Sequence, residues 1–194
     1  MERPGHGWRL SELLEPAGEI GAIWSVARPL VYTCLRRLER DGLIETAGLE
    51  RGSRGPHRVN YAPTRKGRAA VRAWLAEPVE HVRDMRSLFL LKVVLSQRAG
   101  LDLQPLLVAQ RTLLLPFVAW LETQLDDLDP ATEPTEEAVL YFRIATARAT
   151  VAFIDHLIDP SRKPATSRSP GGGPVAIPAT YLASVGLVTG PEVG

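Results

Sequence analysis

The sequence predicts a mainly α-helical protein with one small β-hairpin, on three observations. Apolar residues recur at the three- and four-residue steps of an α-helix over most of residues 6–158. Two short runs, 43–49 and 57–62, have instead the extended pattern of strands. Proline and glycine mark helix ends, as Pro29 and Gly42 do around one predicted helix. We therefore expect an N-terminal domain that contains the hairpin, followed by an all-helical domain.

The N-terminal domain is expected to cover residues 1–78, because Pro78 closes its last helix. Thr64 stands where the N-cap of that helix belongs. Ile20 and Trp24 are too apolar for a solvated loop, so the segment 19–25 is expected to pack in the core. In chain order, the predicted elements are helices over 6–15 and 29–41, strands over 43–49 and 57–62 with a basic loop over 50–56, and a helix over 66–77.

The helix over 29–41 has two unlike faces. Val31, Cys34, Leu35 and Leu38 follow helical spacing and are expected to form one buried stripe. The opposite, polar face carries Thr33, Arg36 and Arg40, flanked by Tyr32 and Arg37. Cys34 is expected to be a small core residue rather than a redox sensor, because it falls on the apolar stripe.

The positive charge of the chain is concentrated in one segment. The net charge is only +1, but residues 26–72 contain eleven Lys or Arg against four acids, a net +7 that leaves −6 for the rest. A solvated charged helix alone would not concentrate +7 in so small a module, so the segment is expected to bind nucleic acid.

The order helix, helix, basic helix, basic-tipped hairpin, helix is that of a winged helix-turn-helix, in which a helix enters the DNA major groove. The hairpin would add cations on the phosphate backbone or in the neighbouring minor groove. The predicted DNA-binding residues are Arg28, Tyr32, Thr33, Arg36, Arg37, Arg40, Arg51, Arg54, His57 and Arg58.

The run RPLVYTCLRRLERDGLIE, then a Gly- and Arg-rich gap, then VNYAPTRKGRAAVRAWL resembles the PadR family of transcriptional regulators over residues 6–159. Its larger, long C-terminal subfamily is the most similar. The resemblance implies a homodimeric repressor, bound to a palindromic operator in double-stranded DNA and released by a small-molecule effector. The chain departs from the family in three ways: the family helix before HGW is missing, Arg28 stands where relatives have a small capping residue, and the tail matches nothing familial. A shortened gene product, a misassigned start codon or a decayed copy would each explain the missing helix.

Residues 79–159 are expected to form a helical dimerisation domain, with an intrachain bundle as the alternative. Its predicted helices cover 82–97, 103–128 with a bend near Pro116, and 136–158. Residues 160–194 are rich in Pro, Gly and Ser and are expected to be a disordered tail.

Several functional classes are not favoured. With no apolar run of about 18 residues and no signal-peptide core, we expect a cytoplasmic protein without membrane contact. The scattered histidines predict no metal site, and no catalytic set or cofactor motif is seen, so no enzyme or cofactor is expected. Trp24, Trp74 and Trp120 are either core residues or the lining of an effector pocket. The competing function is a dimerisation or protein-interaction module that has lost DNA binding with its first helix.

Overall fold

The computed structural model describes residues 5–50 and 58–161, and all of these lie in one compact unit, Met1–Pro164. The mainly helical class with a small sheet is confirmed. The predicted tail is outside the described residues from 162 onward, and the boundary at residue 78 stays a prediction. In chain order the elements are β1 Gly5–His6, α1 Gly7–Leu13, α2 Arg28–Arg40, β2 Ile44–Glu50, β3 Arg58–Pro63, α3 Arg65–Ala76, a 3-10 helix Val82–Arg86, α4 Leu88–Arg98, α5 Gln104–Asp126 and α6 Pro134–Ile158.

The three strands form one antiparallel sheet in the order β1-β3-β2. The hairpin of β2 and β3 was predicted, whereas β1 was not, because a two-residue strand that includes a glycine shows no alternation. A β-bulge interrupts the β2–β3 register between Thr46 and Gly48, where Gly48 has a φ of +134° that L side chains rarely adopt.

The joint between α2, β2 and α3 depends on two residues. The Thr64 hydroxyl accepts a hydrogen bond from the Gly67 N–H at 3.0 Å, which confirms Thr64 as the N-cap of α3, and it lies 2.8 Å from the Gly42 carbonyl oxygen. A Cβ at Gly67 would lie 1.9 Å from the Leu43 carbonyl oxygen. Only glycine therefore lets α3 approach the start of the hairpin this closely.

The main hydrophobic core lies among α4, α5 and α6. Phe89, Leu107, Leu114, Leu121 and Ile154 are fully buried there. On the edge of the α5–α6 pair, two ion pairs connect the helices, Arg111 to Asp155 at 2.6 Å and Arg148 to Glu122 at 2.7 Å. The predicted extents of α5 and α6 are confirmed. Pro116 lies inside α5, and the bend expected there stays a prediction.

The single helix predicted over 82–97 is wrong. The segment forms a 3-10 helix and then α4, and Ser87 between them has φ −127° and ψ −74°, outside the helical region. Periodicity missed this break because Val82, Met85 and Phe89 still follow helical steps across it.

The buried stripe predicted on α2 is too wide. Val31 and Leu35 are buried, whereas Cys34 is exposed and Leu38 is 37% exposed. Leu30, Cys34 and Leu38 are four residues apart and so share a stripe beside the buried one. The assignment of Cys34 to the core is therefore wrong, because other elements cover α2 only along Val31 and Leu35.

Two other core predictions are also corrected. Ile20 is buried as expected, but Trp24 is 46% exposed, since the segment packs through Ile20 and Gly21, with Ile23 partly buried. On α3, helical spacing predicts that Ala70, Val71, Trp74 and Leu75 pack inward. Leu75 is buried and Trp74 half-buried, while Ala70 and Val71 are exposed, because only one edge of this short helix meets other elements.

One helix, α5, is long and apolar enough by length and composition to cross a membrane. No uninterrupted apolar run had indicated this, because polar residues such as Gln110 and Arg111 divide the sequence. Leu107, Leu114 and Leu121 are fully buried against neighbouring helices, as in the core helix of a helical bundle.

Candidate nucleic-acid interface

The polar face of α2 is exposed as predicted. Thr33, Arg36 and Arg40 lie at steps of three and four residues, so they share one side of the helix. The Thr33 hydroxyl donates to the Pro29 carbonyl oxygen at 3.1 Å and accepts from the Arg36 guanidinium at 3.1 Å. This bond holds the Arg36 side chain along the helix surface.

Arg37 and Arg40 are largely open to solvent, with side chains 76% and 74% exposed. Asp41 lies 3.9 Å from Arg37 and 3.8 Å from Arg40, long distances for ion pairs that are exposed to water. Contacts this weak leave both guanidinium groups available to an anion such as a phosphate.

Arg28 lies at the opposite end of α2 and is held differently. Its guanidinium is 2.7 Å from the Glu15 carboxylate, and both side chains are about half exposed. The N-cap of α2 is Ala27, which offers no side-chain oxygen, so the helix start is uncapped. Glu15 was not identified from the sequence, because residues 13 positions apart on different elements have no recognisable spacing.

Tyr32 is partly packed rather than freely projecting. A Cβ at Gly7 would lie 2.7 Å from the Tyr32 ring, so the ring rests on the start of α1. Tyr32 is 37% exposed, and it connects α1 to the polar face of α2.

The hairpin leads to the predicted basic tip. The register pair nearest the tip is Glu50 with Arg58, the residue at which β3 begins. Arg51, Arg54 and His57 lie outside the described residues, as does the side chain of Arg58. The base of the hairpin is tied to α2, because the Thr46 hydroxyl donates to the Glu39 carboxylate at 2.9 Å.

Helix α3 carries further exposed cations, which were not among the DNA-binding residues predicted from the sequence. Arg65, Arg68 and Arg72 lie on one side of α3, which contains no acidic residue. Arg68 is 2.5 Å from the Pro63 carbonyl oxygen. The net +7 of the segment already included these residues and was the only signal that pointed to them.

A wide apolar groove lies at the other end of the chain, between α5 and α6. Its volume is about 1200 Å³, and Leu113, Phe117, Phe142 and Phe153 line it together with the 3-10 helix. Phe142 is 72% exposed and Leu113 38% exposed. This surface is called the α5–α6 groove below.

Trp24, Trp74 and Trp120, the tryptophans considered above as a pocket lining, do not share one pocket. Trp24 and Trp120 are about half exposed on separate segments, and Trp74 lies beneath the Lys92 ammonium, 4.8 Å from the ring centre. Trp120 stacks on Phe117 at 6.0 Å, beside the α5–α6 groove. Neither the core role nor a shared effector pocket therefore holds for Trp24 and Trp120. Among the described residues, no group of three His, Cys, Asp or Glu side chains is placed to hold a metal ion.

Residues 1–73 match the family model described as the transcriptional regulator PadR-like family. No curated protein matches the chain. Similar solved structures include Bacillus subtilis PadR in complex with operator DNA, at 16% identity over 80% of this chain and 89% of that one, with a TM-score of 0.38. Others are smu.1604c from Streptococcus mutans UA159, at 16% over 81% and 92% with a TM-score of 0.36, and the PadR-like regulator BC1756 from Bacillus cereus, at 21% over 82% and 89% with a TM-score of 0.32.

Proposed function

We propose that this chain, a member of the PadR-like family through its residues 1–73, binds double-stranded DNA and regulates transcription. The observation that carries the proposal is the exposed cationic face of α2, next to a hairpin that leads to further cations. An α-helix fits the major groove of B-DNA, and arginine is the side chain that most often reads guanine there.

The residues of α2 divide between two tasks. Arg37 and Arg40 reach base edges or phosphates, because their guanidinium groups are largely exposed. Arg36 reaches them once its guanidinium leaves the Thr33 hydroxyl. The Tyr32 hydroxyl donates a hydrogen bond to a phosphate oxygen, and the Thr33 hydroxyl can do so after it leaves the Pro29 carbonyl. Such bonds fix the position of the helix on the duplex. Arg28 must leave Glu15 to contact DNA, so it adds less than its charge suggests.

The hairpin supplies mainly affinity. Arg51, Arg54, His57 and Arg58 belong to the tip or its edge and would contact the backbone or the adjacent minor groove. Arg65 and Arg72 of α3 are further candidates for phosphate contacts. Such contacts carry no base sequence of their own.

The active species is proposed to be a homodimer that uses the α5–α6 groove. Monomeric proteins rarely leave a wide apolar surface open, and this groove exposes Leu113, Phe142 and Phe153. The same groove of a second copy would cover it in a two-fold arrangement. A two-fold dimer reads a palindrome, with half-sites about one helical turn apart.

Repression, and release by a small-molecule effector, complete the proposal by analogy with the family. We place the protein in the cytoplasm, with no cofactor and no catalytic role. Neither the effector nor its site is identified by the tryptophans, which are separated in the structure.

The test is fluorescence anisotropy on labelled duplexes, using sequences selected by the protein from a randomised pool, over a range of salt. Affinity should fall with a log–log salt slope of about −0.9 for each phosphate neutralised. Arg36→Ala and Arg40→Ala should each cost about 1–3 kcal/mol and relax base preference.

Arg148→Ala is the matched control, because Arg148 is an arginine of α6 that is 65% exposed and does not line the α5–α6 groove. It should leave DNA affinity unchanged. A stable dimer with no salt-sensitive DNA affinity would contradict the proposal and favour the competing function, a dimerisation module that does not bind DNA.

A further inference from the structure

Two polar side chains, Lys92 and Gln110, are buried where the N-terminal elements meet the helical ones. Lys92 is 2% exposed and Gln110 is fully buried. Neither takes part in the proposed DNA contacts. Both bind the segment that connects α3 to the 3-10 helix.

Lys92 replaces a hydrogen bond that the sequence of α3 removes. In a continuing helix the N–H of residue 78 would donate to the carbonyl of Trp74, but Pro78 has no N–H. The Lys92 ammonium of α4 donates instead to the Trp74 carbonyl at 2.5 Å and to the Glu77 carbonyl at 2.7 Å. A cation at this helix end also interacts favourably with the helix dipole.

Gln110 of α5 binds the next residue of the connection at both of its polar groups. The Val79 N–H donates to the Gln110 amide oxygen at 2.6 Å, and the Gln110 amide nitrogen donates to the Val79 carbonyl at 2.9 Å. The two hydrogen bonds resemble those that a residue exchanges with its partner in an antiparallel sheet. They fix both the position and the direction of the chain at Val79.

The combined contacts leave the connection little freedom. Between Trp74 and Val79, three carbonyl groups and one N–H are held by side chains of α4 and α5. On the surface, Arg98 at the end of α4 adds an ion pair at 2.5 Å to Glu19, in the segment before α2. The N-terminal elements are therefore held at two separated places.

Burial of a lysine is unfavourable by itself. Desolvation lowers the pKa of Lys92, and the nearby Glu77 carboxylate offsets part of that effect. An apolar side chain of similar size often stabilises a protein more than a buried charge does, so the benefit of Lys92 lies in the geometry that its hydrogen bonds define.

We propose that Lys92 and Gln110 are positioning residues that hold the DNA-binding elements at one orientation on the helical elements, so that a dimer selects one half-site spacing. The selection of spacing rests on the function proposed above, whereas the fixed orientation does not. Because one base pair of added spacing rotates the second half-site by about 35°, a rigid connection discriminates against it.

The first experiment measures orientation without DNA. Nitroxide spin labels are placed on Cys34, the single cysteine of the chain and exposed on α2, and on Val108→Cys, a 53% exposed position of α5. Pulsed electron paramagnetic resonance on protein diluted into unlabelled chains then reports the intramolecular distance distribution. We expect one narrow peak in this labelled parent and a distribution at least about twofold wider when Lys92→Met and Gln110→Met are added, because unclamped domains move.

Arg111→Met is the matched control, because Arg111 directly follows Gln110 on α5, and its ion pair with Asp155 does not touch the connection. Its distance peak should stay narrow. A broad peak in the labelled parent, or a double variant as narrow as the parent, would overturn the proposal. If the double variant does not fold by circular dichroism, the single variants and the hydrogen exchange of the Val79 N–H decide, and fast exchange in the wild type would overturn it.

The second experiment uses duplexes with two selected half-sites at spacings one or two base pairs on either side of the preferred one. Wild type should prefer one spacing by tenfold or more, and the double variant by less than threefold, with equal affinity for a single half-site. Equal spacing preference in both proteins would refute the positioning role. Failure to select any sequence would refute the proposed function, while the distance measurement would still decide the fixed orientation.

Discussion

Replacement of Phe142 by alanine tests the proposed dimer surface. Phe142 lines the α5–α6 groove and is 72% exposed in a single copy. A phenylalanine buries roughly 150–250 Å² when it is covered, so covering the exposed part removes about 140 Å² from water. At about 25 cal/mol per Å², that is roughly 3 kcal/mol for each copy.

A two-fold interface counts this loss twice, which gives an upper limit of about 6–7 kcal/mol. Side-chain ordering and incomplete packing reduce the effect, so we expect dimer dissociation to be favoured by about 10²–10³-fold, or roughly 3–4 kcal/mol. The stability of the monomer should hardly change, because the side chain contributes little to its core.

The assay is sedimentation velocity over a concentration series, with thermal unfolding measured in parallel. Tyr141→Ala is the control, because Tyr141 is adjacent in sequence and 68% exposed but does not line the groove. Equal dissociation constants for Phe142→Ala and Tyr141→Ala would refute the assignment of this surface to the dimer.

Three further outcomes are expected. Gly67→Ala should lower the free energy of unfolding by about 1–3 kcal/mol, because its Cβ would lie 1.9 Å from the Leu43 carbonyl oxygen, whereas Gly5→Ala, with nothing within 4 Å, should have little effect in the same denaturant titration. Cys34 should react with a maleimide in the native protein about as fast as in denaturant, because it is exposed. A much slower reaction in the native protein would show instead that Cys34 is buried in the core. Burial lowers the pKa of Lys92 in the folded protein below its ordinary 10.5. Between the two pKa values the unfolded chain binds more protons than the folded one, so the free energy of unfolding rises with pH in that range. Lys92→Met should remove this rise, as measured by chemical denaturation across the alkaline range.

Local patterns predicted the elements well where the deciding contacts are near in sequence. Thr64 caps α3 through a residue three positions on, and Gly42 ends α2 with a positive φ of 68°, so both ends were readable. Helical spacing also identified the cationic face of α2. The break at Ser87 was not readable, because a change of backbone angle leaves apolar spacing unaltered.

Burial was predicted less well than helicity. Spacing shows that Cys34 shares a face with apolar residues, but not how much of that face another element covers. The burial of Lys92 and Gln110 was not predicted, because polar side chains ordinarily lie at the protein surface. Their partners lie 15 to 31 residues away on the connection, so only the fold brings them together.

The same two residues explain why the connection needs polar contacts. Apolar packing is non-directional, so it would tolerate a slide or rotation of the segment with little change in buried area. A hydrogen bond weakens steeply once its donor and acceptor leave alignment, and Val79 is aligned at both its N–H and its carbonyl. Because a buried group left unpaired costs about 1–3 kcal/mol, each displaced orientation is penalised several times over. A dimer that presents α2 to DNA at one angle, as proposed for this chain, would therefore gain more from Lys92 and Gln110 than from leucines at the same positions.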